Sequence, residues 1–138
     1  MRLQELLMEN EDLEVKLDDL FIFQDNSDLD QRHVKRLVTQ IKDGEELEPV
    51  LVLKLTTQFK SELKALKQKL AGQKSHAKYA EGIDDEIFST TKKYLLLDGN
   101  HRYLAAKEAG LQKILAEVDQ MSAEDYVNYI FVYFSLVN

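Results

Sequence analysis

The run Asp98-Gly99-Asn100-His101-Arg102 gathers residue types that can hold an anion against a backbone turn. It follows the apolar stretch Tyr94-Leu95-Leu96-Leu97 and precedes a helical pattern, His101 to Ala109, that closes at Gly110, so it lies where a strand passes into a helix. The N–H groups that open a helix have no partners within it, and the helix dipole adds partial positive charge there. Phosphates bind at such places. In this turn Gly99 lets a phosphate approach the backbone, Asn100 caps the helix, and Arg102, an exposed first-turn residue, grips phosphate oxygens with two N–H groups. His101 donates to phosphate or moves a proton near neutral pH, while Asp98 holds the turn or orients the water of a bound metal ion. The same residues also satisfy a plainer account, in which Asp98 and Gly99 make a tight turn, Asn100 caps, and His101 and Arg102 are solvated.

The elements that must position this turn are legible from periodicity. Residues 2 to 9 suit a short helix, and Leu13, Val15 and Leu17 alternate with charged residues as on a half-buried strand that ends at Asp18 and Asp19. Asp30 is placed to cap a helix carrying Val34, Leu37, Val38 and Ile41 on one face, with Gly44 as its stop. Pro49 precedes the continuous apolar strand Val-Leu-Val-Leu. Residues 57 to 93 read as an insertion: a helix with Phe59, Leu63, Leu66 and Leu70 on one face, stopped at Gly72, then a mobile polar loop from Gln73 to about Ser89 that the core can lose. Ile114 to Val118 is a further strand. Ser122-Ala123-Glu124-Asp125 has capping-box spacing ahead of a last helix, Ala123 to Val137, apolar on more than one face. The fold class expected is α/β or α+β, a small mixed sheet flanked by helices, in a single domain spanning 1–138.

Composition removes several classes of chemistry. The chain has no cysteine, which excludes disulfides, thiolate metal ligands and cysteine catalysis. His33, His76 and His101 match no zinc spacing, whereas a magnesium ion held by nucleotide phosphates and one aspartate, Asp98, would leave little trace in a sequence. A net charge of −7 repels polyphosphate at long range and disfavours extended duplex binding. Lys60, Lys64, Lys67, Lys69, Lys74 and Lys78 suit a solvated helix face, or else a lid over a nucleotide or a contact for a nucleic acid or an acidic partner. No stretch spans a bilayer and the start lacks a secretory pattern, so a cytoplasmic location is expected. The aromatic stripe from Tyr126 to Phe134 suits core, or a homodimer or partner interface.

In this order of elements the segment Leu97-Asp98-Gly99-Asn100-His101-Arg102-Tyr103-Leu104-Ala105-Ala106 resembles the ParB/sulfiredoxin superfamily, over residues 13 to 56 and 93 to 120. The resemblance implies that the turn Asp98 to Arg102 contacts nucleotide phosphates. Sulfiredoxins carry a catalytic cysteine just before the His-Arg pair; here that place is Asn100, which rules out their repair chemistry. ParB partition proteins look like Gly-Glu-Arg-Arg at Gly99 to Arg102, so this chain keeps the glycine and the last arginine. They continue into a helix-turn-helix domain, for which no residues follow Asn138. The branch with Asp-Gly-His-His-Arg, which includes free serine kinases, matches at Asp98, Gly99, His101 and Arg102 and departs at Asn100. That likeness implies an acidic base ahead of the first long helix, where Asp25, Asp28 and Asp30 lie and serve equally as loop residues and a cap. The function implied is binding of ATP, ADP or CTP with magnesium, with hydrolysis or phosphoryl transfer as the accompanying reactions. Two alternatives stand beside it: a partition-like or regulatory adaptor that uses the nucleotide as a switch and contacts DNA or protein through its insertion, and a structural interaction protein whose turn holds no ligand.

Overall fold

The structure, a computed structural model, describes residues 12–22 and 29–137, the side chains of 131–137 excepted. The short helix expected over residues 2 to 9, together with Asp25 and Asp28, lies outside the described residues. The remainder divides into two compact units, one made of residues up to Lys54 with Lys92–Asp119, the other of Leu55–Thr91 with the segment from Gln120 onward.

The first unit is a mixed sheet of five strands: β1 (Asp12–Lys16), β2 (Leu20–Phe21), β3 (Val50–Lys54), β4 (Tyr94–Asp98) and β5 (Lys113–Asp119), in the order β1-β5-β3-β4-β2. β5 pairs antiparallel with β1 and parallel with β3; β4 pairs antiparallel with β3 and parallel with β2. Its helices are α1 (Gln31–Lys42) and α5 (Asn100–Glu108), numbered in chain order. The expected α/β architecture of a small mixed sheet with flanking helices is therefore the observed one. β3 and β4 form at the centre because Val-Leu-Val-Leu and Leu-Leu-Leu are apolar at successive positions, as strands covered on both faces must be. One core cluster joins Val15, Leu17, Val50, Val52, Leu96 and Ile114 to Ala106 of α5, and another joins Val34 and Leu37 of α1 to Ala105. Paired alanines at 105 and 106 allow α5 to lie close against both neighbours.

Asp30 caps α1 by accepting from the Arg32 N–H at 3.0 Å, as expected, and Gly44 and Gly110 end their helices with φ of +84° and +82°. Between β3 and β4 the register shifts at Leu51/Val52: Asp98 pairs with Leu51 while Leu96 pairs with Val52, which leaves Leu97 as the extra residue of a bulge. The bulge re-aims the last residue of β4 next to the turn.

The second unit holds α2 (Thr57–Ala71), α3 (Ala77–Glu81), α4 (Glu86–Ser89) and α6 (Ala123–Val137). Thr56 caps α2 through the Phe59 N–H, and the Ser122 hydroxyl accepts from the Asp125 N–H. The expectation of a mobile loop over residues 73 to 89 is overturned. The segment forms two short helices whose Ala80, Ile83 and Ile87 are buried, so it is part of this unit's core. Composition hid this because apolar residues are few there, yet a short helix needs only one per turn to anchor it. The lysine run is reinterpreted in part. Lys60 donates to the Thr90 carbonyl, and Lys67 donates to the Ile83 carbonyl and to Asp85, both at 2.6 Å, so these two fasten the segment to α2. Tyr126 of α6 is 1% exposed and meets Phe59 edge-on with ring centroids 5.8 Å apart. Burial, with Asp84 and Tyr129 nearby, pushes its phenol far above the ordinary tyrosine range.

Candidate functional site

The turn stands at the carboxyl end of β4. Gly99 takes φ +113°, ψ +29°, and is itself the N-cap of α5. The expectation that Asn100 caps the helix is corrected: Asn100 is the first helical residue, and glycine offers no side chain to accept from the helix. The first intrahelical bond runs from the Tyr103 N–H to the Gly99 carbonyl at 2.9 Å. The N–H groups of Asn100, His101 and Arg102 therefore open the helix, at its positive end. Gly99 is required by packing as well as by conformation. A Cβ there would lie 2.6 Å from Cγ1 and 2.9 Å from Cβ of Val50, a residue with no exposed surface.

His101 joins the start of α5 to the start of α1. Its Nε2 accepts from the Asp30 backbone N–H at 3.0 Å, across 71 positions of sequence. An imidazole that accepts at Nε2 carries its neutral-form proton on Nδ1, so Nδ1–H is the donor left for a ligand. The expectation is that His101 donates to phosphate or moves a proton; the geometry gives Nε2 to the Asp30 N–H, which puts the neutral ring's proton on Nδ1. His33, one turn into α1, meets the His101 ring edge-on with centroids 4.9 Å apart.

Arg102 corrects another expectation, since it is not a solvated first-turn residue. Its side chain is 22% exposed, and Nη1 donates to the carbonyls of Pro49 at 2.6 Å and Glu48 at 3.3 Å, which ties α5 to the segment entering β3. Nη2 is 3.8 Å from Oδ2 of Asp98, whose own side chain is 73% exposed. The Nε–Nη2 edge, the side-on pair suited to a two-pronged contact with phosphate, makes no hydrogen bond among the described residues, with Nη2 facing the Asp98 carboxylate. A cavity of about 440 Å³ opens beside it, lined by His33, Leu37 and Gln40 of α1 and by Glu46, Leu47 and Glu48. Leu37 is core, as its periodicity implies, and also reaches the cavity wall; sequence alone does not place His33 and Gln40 there, although their spacing of four and three positions from Leu37, one helical face, is the available signal.

Of the residues singled out, Asp30, Asp98, Gly99, Asn100, His101 and Arg102 thus share one neighbourhood, while Asp28 lies outside the described residues. Asp30 spends Oδ1 on the cap. Among the described residues no group of three or more acidic or histidine side chains is arranged to hold a metal ion, so Asp98 is a single carboxylate at the turn. Nor is any helix there long and apolar enough to cross a membrane.

The fold has known counterparts. A sulfiredoxin from Arabidopsis thaliana superposes with a TM-score of 0.55 at 16% identity, covering 87% of this chain and 97% of its own. The fold is ParB/sulfiredoxin-like. A C-terminally truncated chromosome-partitioning protein ParB from Caulobacter crescentus, complexed with CTP-γ-S, gives 0.52 at 17% identity, over 93% of this chain and 54% of that one. A free serine kinase in complex with AMP gives 0.45 at 15% identity, over 78% and 30%. This chain thus spans about half of the ParB chain and less than a third of the kinase chain. No protein-family profile matches the sequence, and no curated protein is similar to it in sequence.

Proposed function

We propose that this protein binds a nucleotide, ATP, ADP or CTP, with its phosphates against the start of α5. The observation that carries the reading is the glycine-capped helix start flanked by Nδ1–H of His101 and the Nε–Nη2 edge of Arg102. Helix-start N–H groups, an imidazole N–H and a guanidinium edge within one helical turn are donors of the kind that phosphate oxygens require. A ParB/sulfiredoxin-like neighbour complexed with CTP-γ-S supports it. Among the described residues Asp98 is the carboxylate at the turn that could meet a divalent ion, so magnesium would be held chiefly by the phosphates, whose charge it would neutralise. For hydrolysis or phosphoryl transfer, Asp30 retains Oδ2 as a proton acceptor beside His101, and Asp28 stands two positions earlier in the sequence.

Thermal unfolding with ATP, ADP and CTP, each with magnesium, tests the proposal. A nucleotide at about one hundred times its dissociation constant stabilises the fold by roughly 2.7 kcal/mol. His101→Phe should remove that gain. Absence of any stabilisation by the three nucleotides overturns the reading.

A further inference from the structure

At the opposite end of α5 a second cavity, of about 550 Å³, lies within the same unit. Lysines from separate elements converge on it: Lys16 ends β1, Lys92 precedes β4, Lys107 is in the last turn of α5, and Lys113 begins β5. In a chain of net charge −7 this is a local reversal of sign, with Asp18 as the one acid on its wall. Two further observations show that the fold does not need it. Lys16 and Lys113 are directly paired across the antiparallel β1/β5 ladder, where like charges destabilise. Among the described residues, Lys16, Lys107 and Lys113 form no ion pair that would offset this. Lys92 is held in position, its Nζ donating to the Asp18 carbonyl at 2.6 Å.

The walls are not charged throughout. Tyr103 is half-buried there, and Leu111 is 40% exposed, a large apolar side chain left at the rim. The volume lies within the range of small-molecule sites and is far larger than a lone phosphate needs. We infer that this cavity is a second site, for a phosphorylated small molecule whose anionic end meets Lys16, Lys107 and Lys113 and whose body packs on Tyr103 and Leu111. It shares α5 with the nucleotide site but none of its residues: Tyr103, Lys107 and Leu111 follow one another at four-residue steps along and past the helix, away from His101 and Arg102.

Amide chemical-shift mapping with AMP and with inorganic pyrophosphate tests this on the full chain. Saturable AMP shifts at Lys16, Lys107, Leu111 and Lys113 are expected, with pyrophosphate binding there more weakly because it has no body to pack. The triple variant Lys16→Gln, Lys107→Gln, Lys113→Gln should weaken AMP at this cavity by at least about tenfold, the worth of one charge-assisted contact. It should also unfold at a higher temperature than the parent without ligand, since a like-charge pair is gone. His101→Phe should leave the shifts around Lys107 and Lys113 unchanged, which separates this cavity from the nucleotide site. AMP shifts confined to residues 98–102, or undiminished AMP binding at this cavity by the triple variant, overturn the inference. Pyrophosphate binding as tight as AMP overturns the role given to Tyr103 and Leu111.

Discussion

Gly99→Ala isolates the reason for a glycine at the turn, because Gly44 provides an internal control. Both glycines have positive φ, +113° and +84°, but a Cβ at Gly44 meets nothing within 4 Å whereas one at Gly99 meets Val50. Gly44→Ala should therefore cost only the strain of a left-handed L-residue, about 1–2 kcal/mol. Gly99→Ala carries that strain and adds the contacts at 2.6 and 2.9 Å with Val50, whose Cβ and Cγ1 are fixed in the core between β3 and α5. Forcing an extra carbon into a packed core costs a further 1–3 kcal/mol or so, giving a total of about 2–5 kcal/mol. Urea unfolding of the parent and both variants, with unchanged m-values, gives the two costs directly. If the two alanine variants differ by less than about 0.5 kcal/mol, the limit of additivity between separate sites, the packing argument for Gly99 is refuted.

Arg102→Lys should keep the charge but lose the simultaneous grip on the Pro49 and Glu48 carbonyls, lowering stability by about 1–3 kcal/mol in urea unfolding and weakening nucleotide at least tenfold or so in titration calorimetry; unchanged stability would return Arg102 to the solvated role. Deleting residues 73–89 removes Ile83 and Ile87 from the second unit's core, a loss of about 3–6 kcal/mol at the usual worth of a buried aliphatic side chain, so amides of Thr57–Ala71 and Ala123–Val137 should lose hydrogen-exchange protection; retained protection would make the segment dispensable. Tyr126 is neutral in the fold and its phenol is held above its unfolded value of 10.0, so its contribution is intact below pH 10 and falls as pH rises, because the unfolded chain gives up the proton first. The parent should lose up to about 1.4 kcal/mol per pH unit between pH 10 and 11 that Tyr126→Phe does not lose, as thermal melts at those pH values would show.

The elements that follow from local pattern were legible in the residues. The α1 stripe of Val34, Leu37, Val38 and Ile41, its Asp30 cap and its Gly44 stop need only neighbours within a turn or two, and each stands where periodicity puts it. The runs Val50 to Leu53 and Leu95 to Leu97 declare buried strands by being apolar throughout. Residues 73–89 were misread because their order comes from contacts that sequence proximity does not reveal: Lys67 reaches Ile83 and Asp85 from sixteen and eighteen positions away. A polar, irregular composition is what such a segment shares with a true loop.

The candidate site was legible as a motif but not in its geometry. Sequence can say that a glycine precedes His-Arg; it cannot say that Val50, forty-nine positions earlier, excludes any side chain at Gly99. Nor can it say which atoms of His101 and Arg102 the fold consumes. His101 reaches Asp30 across 71 positions and Arg102 reaches Pro49 across 53, and these bonds decide that His101 offers Nδ1–H and Arg102 its Nε–Nη2 edge. The side chains that fasten α5 to α1 and β3, His101 by accepting and Arg102 by donating, are thereby held in place, so a ligand at the proposed site would meet groups whose orientation was settled on folding rather than on binding. Removing either tether should consequently cost affinity as well as stability, whereas a variant of Lys107, which has no ion pair among the described residues, should cost affinity for its own ligand and leave stability unchanged.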